Sequence, residues 1–150
     1  MTHTYSNVLF HLVWSTKNRE PFVNADFKRP LYSYINGIVE NKKCKLHIIN
    51  GMPDHVHLLV SIPLTMTIPE LVQQIKVSSN RWIKQQSPHF QKFSWQEGLG
   101  AFTVGYSNFD SVKNYIANQE EHHRSKSFDE EYLDLLKKLK ITYDNRFVLG

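Results

Sequence analysis

Two short patterns carry residue types that can do chemistry. The first is His55-Val56-His57, inside the stretch GMPDHVHLLVSIP at 51–63. A β-strand sends successive side chains to opposite faces, so two histidines one residue apart point the same way. Leu59 and Ser61 continue their face, while Val56, Leu58, Val60 and Ile62 form the other, which reads as core. Two parallel imidazoles can hold one divalent cation, although each alone reads equally well as a hydrogen-bonded core histidine. The second pattern is Tyr115 with Gln119. Four residues apart on a helix, they share a face and can point into one site together. Gln119 is a neutral oxygen donor able to complete what two histidines begin. A set of two imidazoles and an amide leaves the ion's charge available for a phosphate. The bland account is a tyrosine flanking a helix core and a solvated glutamine.

Elements must exist to bring these residues together. NVLFHLVWS at 7–15 alternates and predicts a strand. Phe27, Leu31, Ile35, Ile38 and Val39 have helical spacing and predict a helix over 27–42, with Asp26 as its cap. KLHIIN at 45–50 predicts a second strand, and Gly51, Pro53 and Asp54 predict a tight hairpin into the histidine strand. Thr67-Ile68-Pro69-Glu70 is a capping-box pattern opening a helix to about Gln86, with Leu71, Val72, Ile75, Ser79, Trp82 and Ile83 on one face. A short strand is expected around 101–105. Ser107 and Asp110 predict a cap for a helix over 109–123, which carries Tyr115 and Gln119. Ser127 and Glu130 do the same for a last helix with Tyr132, Leu133, Leu136 and Leu139, and the tail ITYDNRFVLG is expected to dock. Strand, helix, strand, strand, helix, strand is the order of an α+β, ferredoxin-like split βαβ sandwich, here with C-terminal helices appended.

The bulk numbers bound the classes open to the chain. Its 150 residues suit one domain over 1–150, with a core large enough to need no staples. One cysteine, Cys44, excludes an internal disulfide and fits a reducing compartment. The N-terminal stretch has no signal-peptide pattern, and no apolar run reaches the ~18 residues of a membrane span. A net charge of +4 permits a nucleic-acid partner without demanding one.

The sequence resembles the single-tyrosine transposases of bacterial insertion sequences, in the HUH nuclease superfamily. The matching pieces are HLVWSTKNREP, GMPDHVHLLVSIP, FSWQEGLGAF, NYIANQEEHH and FDEEYLDLLKKLKITYD. His55-Val56-His57 matches the H-hydrophobic-H element, and Tyr115 to Gln119 matches Y-x-x-x-Q. The resemblance implies cleavage and rejoining of single-stranded DNA at the hairpin ends of a mobile element. Tyr115 would attack the phosphorus and form a 5′-phosphotyrosine. His55, His57 and Gln119 would bind a divalent metal. Ligand softness alone favours zinc or manganese; the resemblance implies Mg2+ or Mn2+. It also implies a homodimer whose sites are shared between subunits. The absent export signal and the expected substrate place the protein in the bacterial cytoplasm, associated with the nucleoid when acting.

Candidate DNA contacts are Lys17, Arg19, Lys76, Arg81, Lys84 and Lys113, with Phe93 and Trp95 able to stack on unpaired bases. Each basic residue taken alone is better read as a solvated charge. Trp82 reads as core, Lys137, Lys138 and Lys140 as the wet side of a helix, and His122-His123 as surface. His3, His11, His47 and His89 receive no role. Two other readings stay open: a non-catalytic nucleic-acid-binding module of the same fold, which has no need of Tyr115 or Gln119, and a small-molecule phosphoesterase, which would need a second histidine motif.

Overall fold

The computed structural model describes residues 4–150, so His3 lies outside the described residues. Four strands, β1 (Leu9–Ser15), β2 (Lys45–Met52), β3 (His55–Ser61) and β4 (Gly100–Thr103), form one sheet in the order β2-β3-β1-β4. All three pairings are antiparallel. Helices α1 (Ala25–Asn41) and α2 (Ile68–Gln86) complete the ferredoxin-like β-α-β-β-α-β order, and α3 (Phe109–Ala117), α4 (Gln119–His122) and α5 (Phe128–Lys138) follow it. Among the described residues no helix is long and apolar enough to cross a membrane.

Strand alternation divides the sheet into two faces. Leu12, Trp14, Val56, Leu58 and Val60 meet Leu31, Ile35 and Val39 of α1 and Leu71, Ile75 and Ile83 of α2 in the hydrophobic core. Helices with a continuous apolar stripe have nowhere else to bury it. The opposite face carries the odd-numbered residues of β1 and β3. Val13 lies across from His57 and His11 across from Leu59, so the histidines of both strands share that face. There α3 and α4 lie over β2 and β3.

Several local expectations need correction. Asn24, not Asp26, caps α1, accepting from the Phe27 amide at 3.0 Å. Ser107 does not cap α3; it lies in a 3-10 turn, Tyr106–Asn108, and Asn108 is the boundary residue. The helix expected over 109–123 is two helices, broken at Asn118. The side-chain amide of Asn50 on β2 donates to the carbonyls of Ile116 and Ala117, at 3.0 and 3.1 Å. The backbone N–H of Asn118 still closes the last turn of α3 onto Asn114 and Tyr115, but its own dihedrals, φ −100° and ψ 30°, leave the helical region and end the helix there. Phe93 and Trp95 are buried in the core, with the Trp95 indole donating to Ser79 Oγ at 2.9 Å, so neither is a stacking platform. Leu139 is exposed, and α5 buries Glu131 together with Phe128 and Leu136. Trp82, read as core, is partly buried and packs against the core between Phe27 and Tyr34.

The hairpin that presents the histidines depends on Gly51. Any Cβ there would lie 2.1 Å from the His55 carbonyl oxygen, closer than nonbonded atoms can approach. Pro53 and Asp54 make the two-residue turn between Met52 and His55.

Candidate active site

The start of β3 buries both His55 and His57 completely. Each ring is fixed through Nδ1. That of His55 lies 2.7 Å from Asp54 Oδ1, and that of His57 lies 2.8 Å from His11 Nε2. Both Nε2 atoms therefore turn toward the space under α4 and α5. This is how ligating histidines are commonly held, with the far nitrogen engaged and the near one aimed.

Three further side chains close that space. Gln119, at the start of α4, places Oε1 2.8 Å from His55 Nε2. Tyr115, from the last turn of α3, stacks on His122 and has its ring 5.9 Å from that of His57. Glu131 comes from α5. Its Oε1 lies 3.0 Å from His57 Nε2, 3.0 Å from His123 Nε2 and 3.4 Å from His55 Nε2. Its Oε2 accepts from Gln119 Nε2 at 2.9 Å and from the Tyr115 hydroxyl. One carboxylate thus links the phenol, the amide and the imidazoles.

Proton positions follow from burial and partners. Burial disfavours the charged form of His55, but hydrogen bonds to Asp54 and Glu131 outweigh it and push the pKa up to about 9. For His57 burial dominates over Glu131 and lowers the pKa to about 4. His11, lowered by burial and by His57 to about 3, is neutral and donates to His57. Burial would raise Glu131, yet the hydrogen bonds from His55 and His57 hold it far below the usual carboxylate range. Burial, then the bond to Glu131, holds the Tyr115 phenol above its ordinary value. In this state the phenol is protonated and a weak nucleophile.

The donors suit a divalent cation. Two neutral-capable imidazole nitrogens and an amide oxygen converge, and the ligand atoms of His55, His57 and Glu131 all lie within 4.8 Å of one another. Beside Tyr115 opens a cleft of about 340 Å³, lined in part by His122, Lys126, Glu131 and Lys138.

His55, His57, Tyr115 and Gln119 thus lie together within one chain, whereas spacing sets only the common direction of each pair. The expected DNA contacts are scattered. Arg19 pairs with Asp129 at 2.7 Å and donates to the Leu149 carbonyl, so it clamps α5 and the tail. Lys76 donates to the carbonyls of Gln96 and Gly98, both at 2.8 Å, and burial lowers its pKa to about 8. Lys17, Arg81 and Lys113 are exposed, and Lys84 is half-buried. The surface placement of His123 is overturned: its ring is 6% exposed and bonded to Glu131. Glu131, His11 and Asp54 were missed. The available signal for Glu131 was an acid on the apolar stripe with Phe128 and Leu135. For His11 it was its place on the same strand face as Leu9 and Val13.

The family model described as "Transposase IS200 like" matches residues 4–119. The chain belongs to the IS200-like transposase family. Among IS200-like relatives, the ISDra2 transposase TnpA of Deinococcus radiodurans is 26% identical over 117 residues, 75% of this chain and 84% of that protein. The transposase for insertion sequence element IS200 of Salmonella typhimurium is 26% identical over 127 residues, 81% of this chain and 82% of that one. A crystal structure of a chain assigned as a transposase, from Deinococcus radiodurans R1, superposes with a TM-score of 0.63 at 25% identity, covering 79% of this chain and 95% of that one. A REP-associated tyrosine transposase bound to a REP hairpin has the same fold, with a TM-score of 0.62 at 13% identity over 82% and 73% of the two chains. The IS200-like family match ends at Gln119, so α5 and Glu131 lie outside it.

Proposed function

We propose that this IS200-like transposase, one domain over 1–150, is an HUH single-tyrosine enzyme. It cleaves and rejoins single-stranded DNA at insertion-sequence ends through a covalent 5′-phosphotyrosine. The observation that supports this most is that the Tyr115 hydroxyl and the two histidine Nε2 atoms converge on one carboxylate, Glu131, so nucleophile and cation ligands face one space. The Tyr115 oxygen would attack phosphorus. The new phosphotyrosine bond replaces the bond to the leaving 3′ oxygen, which departs as a 3′-hydroxyl. Attack by that hydroxyl on the phosphotyrosine reverses the step, with no bond energy lost to water.

His55, His57 and Gln119 would hold Mg2+ or Mn2+. When bound, the ion supplies charge that polarises the phosphate oxygens and favours the phenolate. Asp54 and His11 keep the imidazoles aimed, and Asn50 holds the end of α3 so that Tyr115 stays over them. The cleft beside Tyr115 offers the strand a route in, with Lys138 on its wall as a backbone contact, while Lys126 there is paired with Asp134. The relative solved with a REP hairpin supports a folded DNA end as the partner. The bacterial cytoplasm and nucleoid are where that substrate is found. Of the alternatives, the binding module leaves a buried, hydrogen-bonded tyrosine site without a purpose.

The test is a denaturant-resistant adduct between the protein and labelled single-stranded DNA carrying candidate element ends, with Mn2+ or Mg2+. Wild type forms the adduct and Tyr115→Phe forms none. An adduct that persists in the phenylalanine variant removes Tyr115 from the nucleophile's role.

A further inference from the structure

We propose that Glu131 is itself a ligand of the cation, converting a site of two imidazoles and an amide into one that includes a carboxylate. The inference rests on the cation site of the proposed function and concerns a residue beyond the family match. Ligands about 2.1 Å from one octahedral ion lie about 3.0 Å apart along each adjacent edge, and those around a tetrahedral ion somewhat further. Glu131 Oε1 is 3.0 Å from His57 Nε2 and 3.4 Å from His55 Nε2. It therefore sits at ligand spacing from both nitrogens that face the site. Its second oxygen is held by Gln119 and Tyr115, so the carboxylate is oriented as firmly as the two rings.

A removable plug would also fill this position, but α5 is built to stay. Its capping box of Ser127 and Glu130 is complete. Asp129 is paired with Arg19. Phe128 is buried, with its ring 4.6 Å from that of His55. Glu131 thus stands on a clamped helix whose first turn packs on a ligand, a rigid placement suited to coordination. Through its two oxygens the same side chain would couple the ion to the nucleophile's hydroxyl.

The experiment titrates Mn2+ into metal-free protein and reads free Mn2+ by electron paramagnetic resonance. Co2+ is then added to report the donor set through its visible absorption. Wild type binds Mn2+. Glu131→Gln, nearly the same shape, binds at least about tenfold more weakly and shifts the Co2+ bands. Glu131→Asp, which keeps the carboxylate, falls between them and serves if the amide folds poorly. A wild-type Mn2+ affinity with unchanged Co2+ bands in Glu131→Gln overturns the inference and leaves the histidine site standing. Tighter Mn2+ binding by Glu131→Ala also overturns it, because the carboxylate would then be a competitor. Failure of wild type itself to bind Mn2+ overturns both this inference and the cation site beneath it.

Discussion

Around Glu131 three imidazoles, a phenol and an amide share one carboxylate, and burial leaves water little part in the balance. Such a cluster is costly to protonate wrongly. His11 and His57 titrate at about 3 and about 4 in the folded chain, below the 6.5 of an unperturbed imidazole. Between pH 6.5 and about 4 the unfolded chain binds protons that the folded chain refuses, so stability falls as pH falls through that window. His55 has the opposite sign. Its folded value of about 9 gives stability that is present below pH 6.5 and lost as pH rises through 9. Replacing His11 by Gln keeps a donor toward His57 but removes one titration. In urea unfolding of metal-free protein from pH 6.5 to 4, the variant should lose about 1.4 kcal/mol per pH unit of slope. A slope equal to wild type would mean His11 is not held neutral.

At the scale of elements, the hairpin between β2 and β3 and the break between α3 and α4 decide where the reactive groups sit. Gly51 is required because the strand end passes against the His55 carbonyl, 2.1 Å from where a Cβ would be. Backbone cannot yield there as a flexible side chain would. Gly51→Ala should cost about 1–3 kcal/mol, read as roughly 2–4 °C of Tm per kcal/mol, and should weaken Mn2+ binding by displacing His55. A Tm within error of wild type would show that the hairpin has slack. The break at Asn118 follows from a contact between elements. Asn50 reaches from β2 to the last carbonyls of α3, and the chain restarts as α4 with Gln119 at its head. Tyr115 and Gln119 keep their common direction although no single helix joins them.

For the whole molecule, the main consequence is that one chain assembles the complete cluster. The resemblance implies a homodimer with sites shared between subunits, which would require α3 to serve its partner's histidines. Here Tyr115 already lies beside His57 of its own chain, and Arg19 ties α5 and the tail back to the end of β1. Mixing His57→Ala with Tyr115→Phe protein separates the two arrangements: a site closed within one chain restores no adduct formation. Recovery toward about a quarter of wild-type activity, since half of randomly re-paired dimers are mixed and each has one intact site of two, would establish sites composed across two subunits. The same clamp gives Arg19, a candidate DNA contact by sequence, partners within its own chain. A cation after the first strand has no partner in the sequence until residue 129 is folded against it.

The linear chain determined what depends on neighbours. Alternation placed the histidines on one face, hydrophobic spacing set the split βαβ order, and Ser127 with Glu130 marked the start of α5. His55, His57, Tyr115 and Gln119 were legible because each pair belongs to one local repeat. Tertiary structure decided what depends on distance through space. Asn50 ended a helix 66 residues away, and His11 met a histidine 46 residues on. Glu131 became the hub of the site through hydrogen bonds to His57, 74 residues before it, and to Tyr115, 16 residues before it. A buried carboxylate is stable only where its hydrogen-bond donors have already been gathered, and that gathering is a property of the packed molecule.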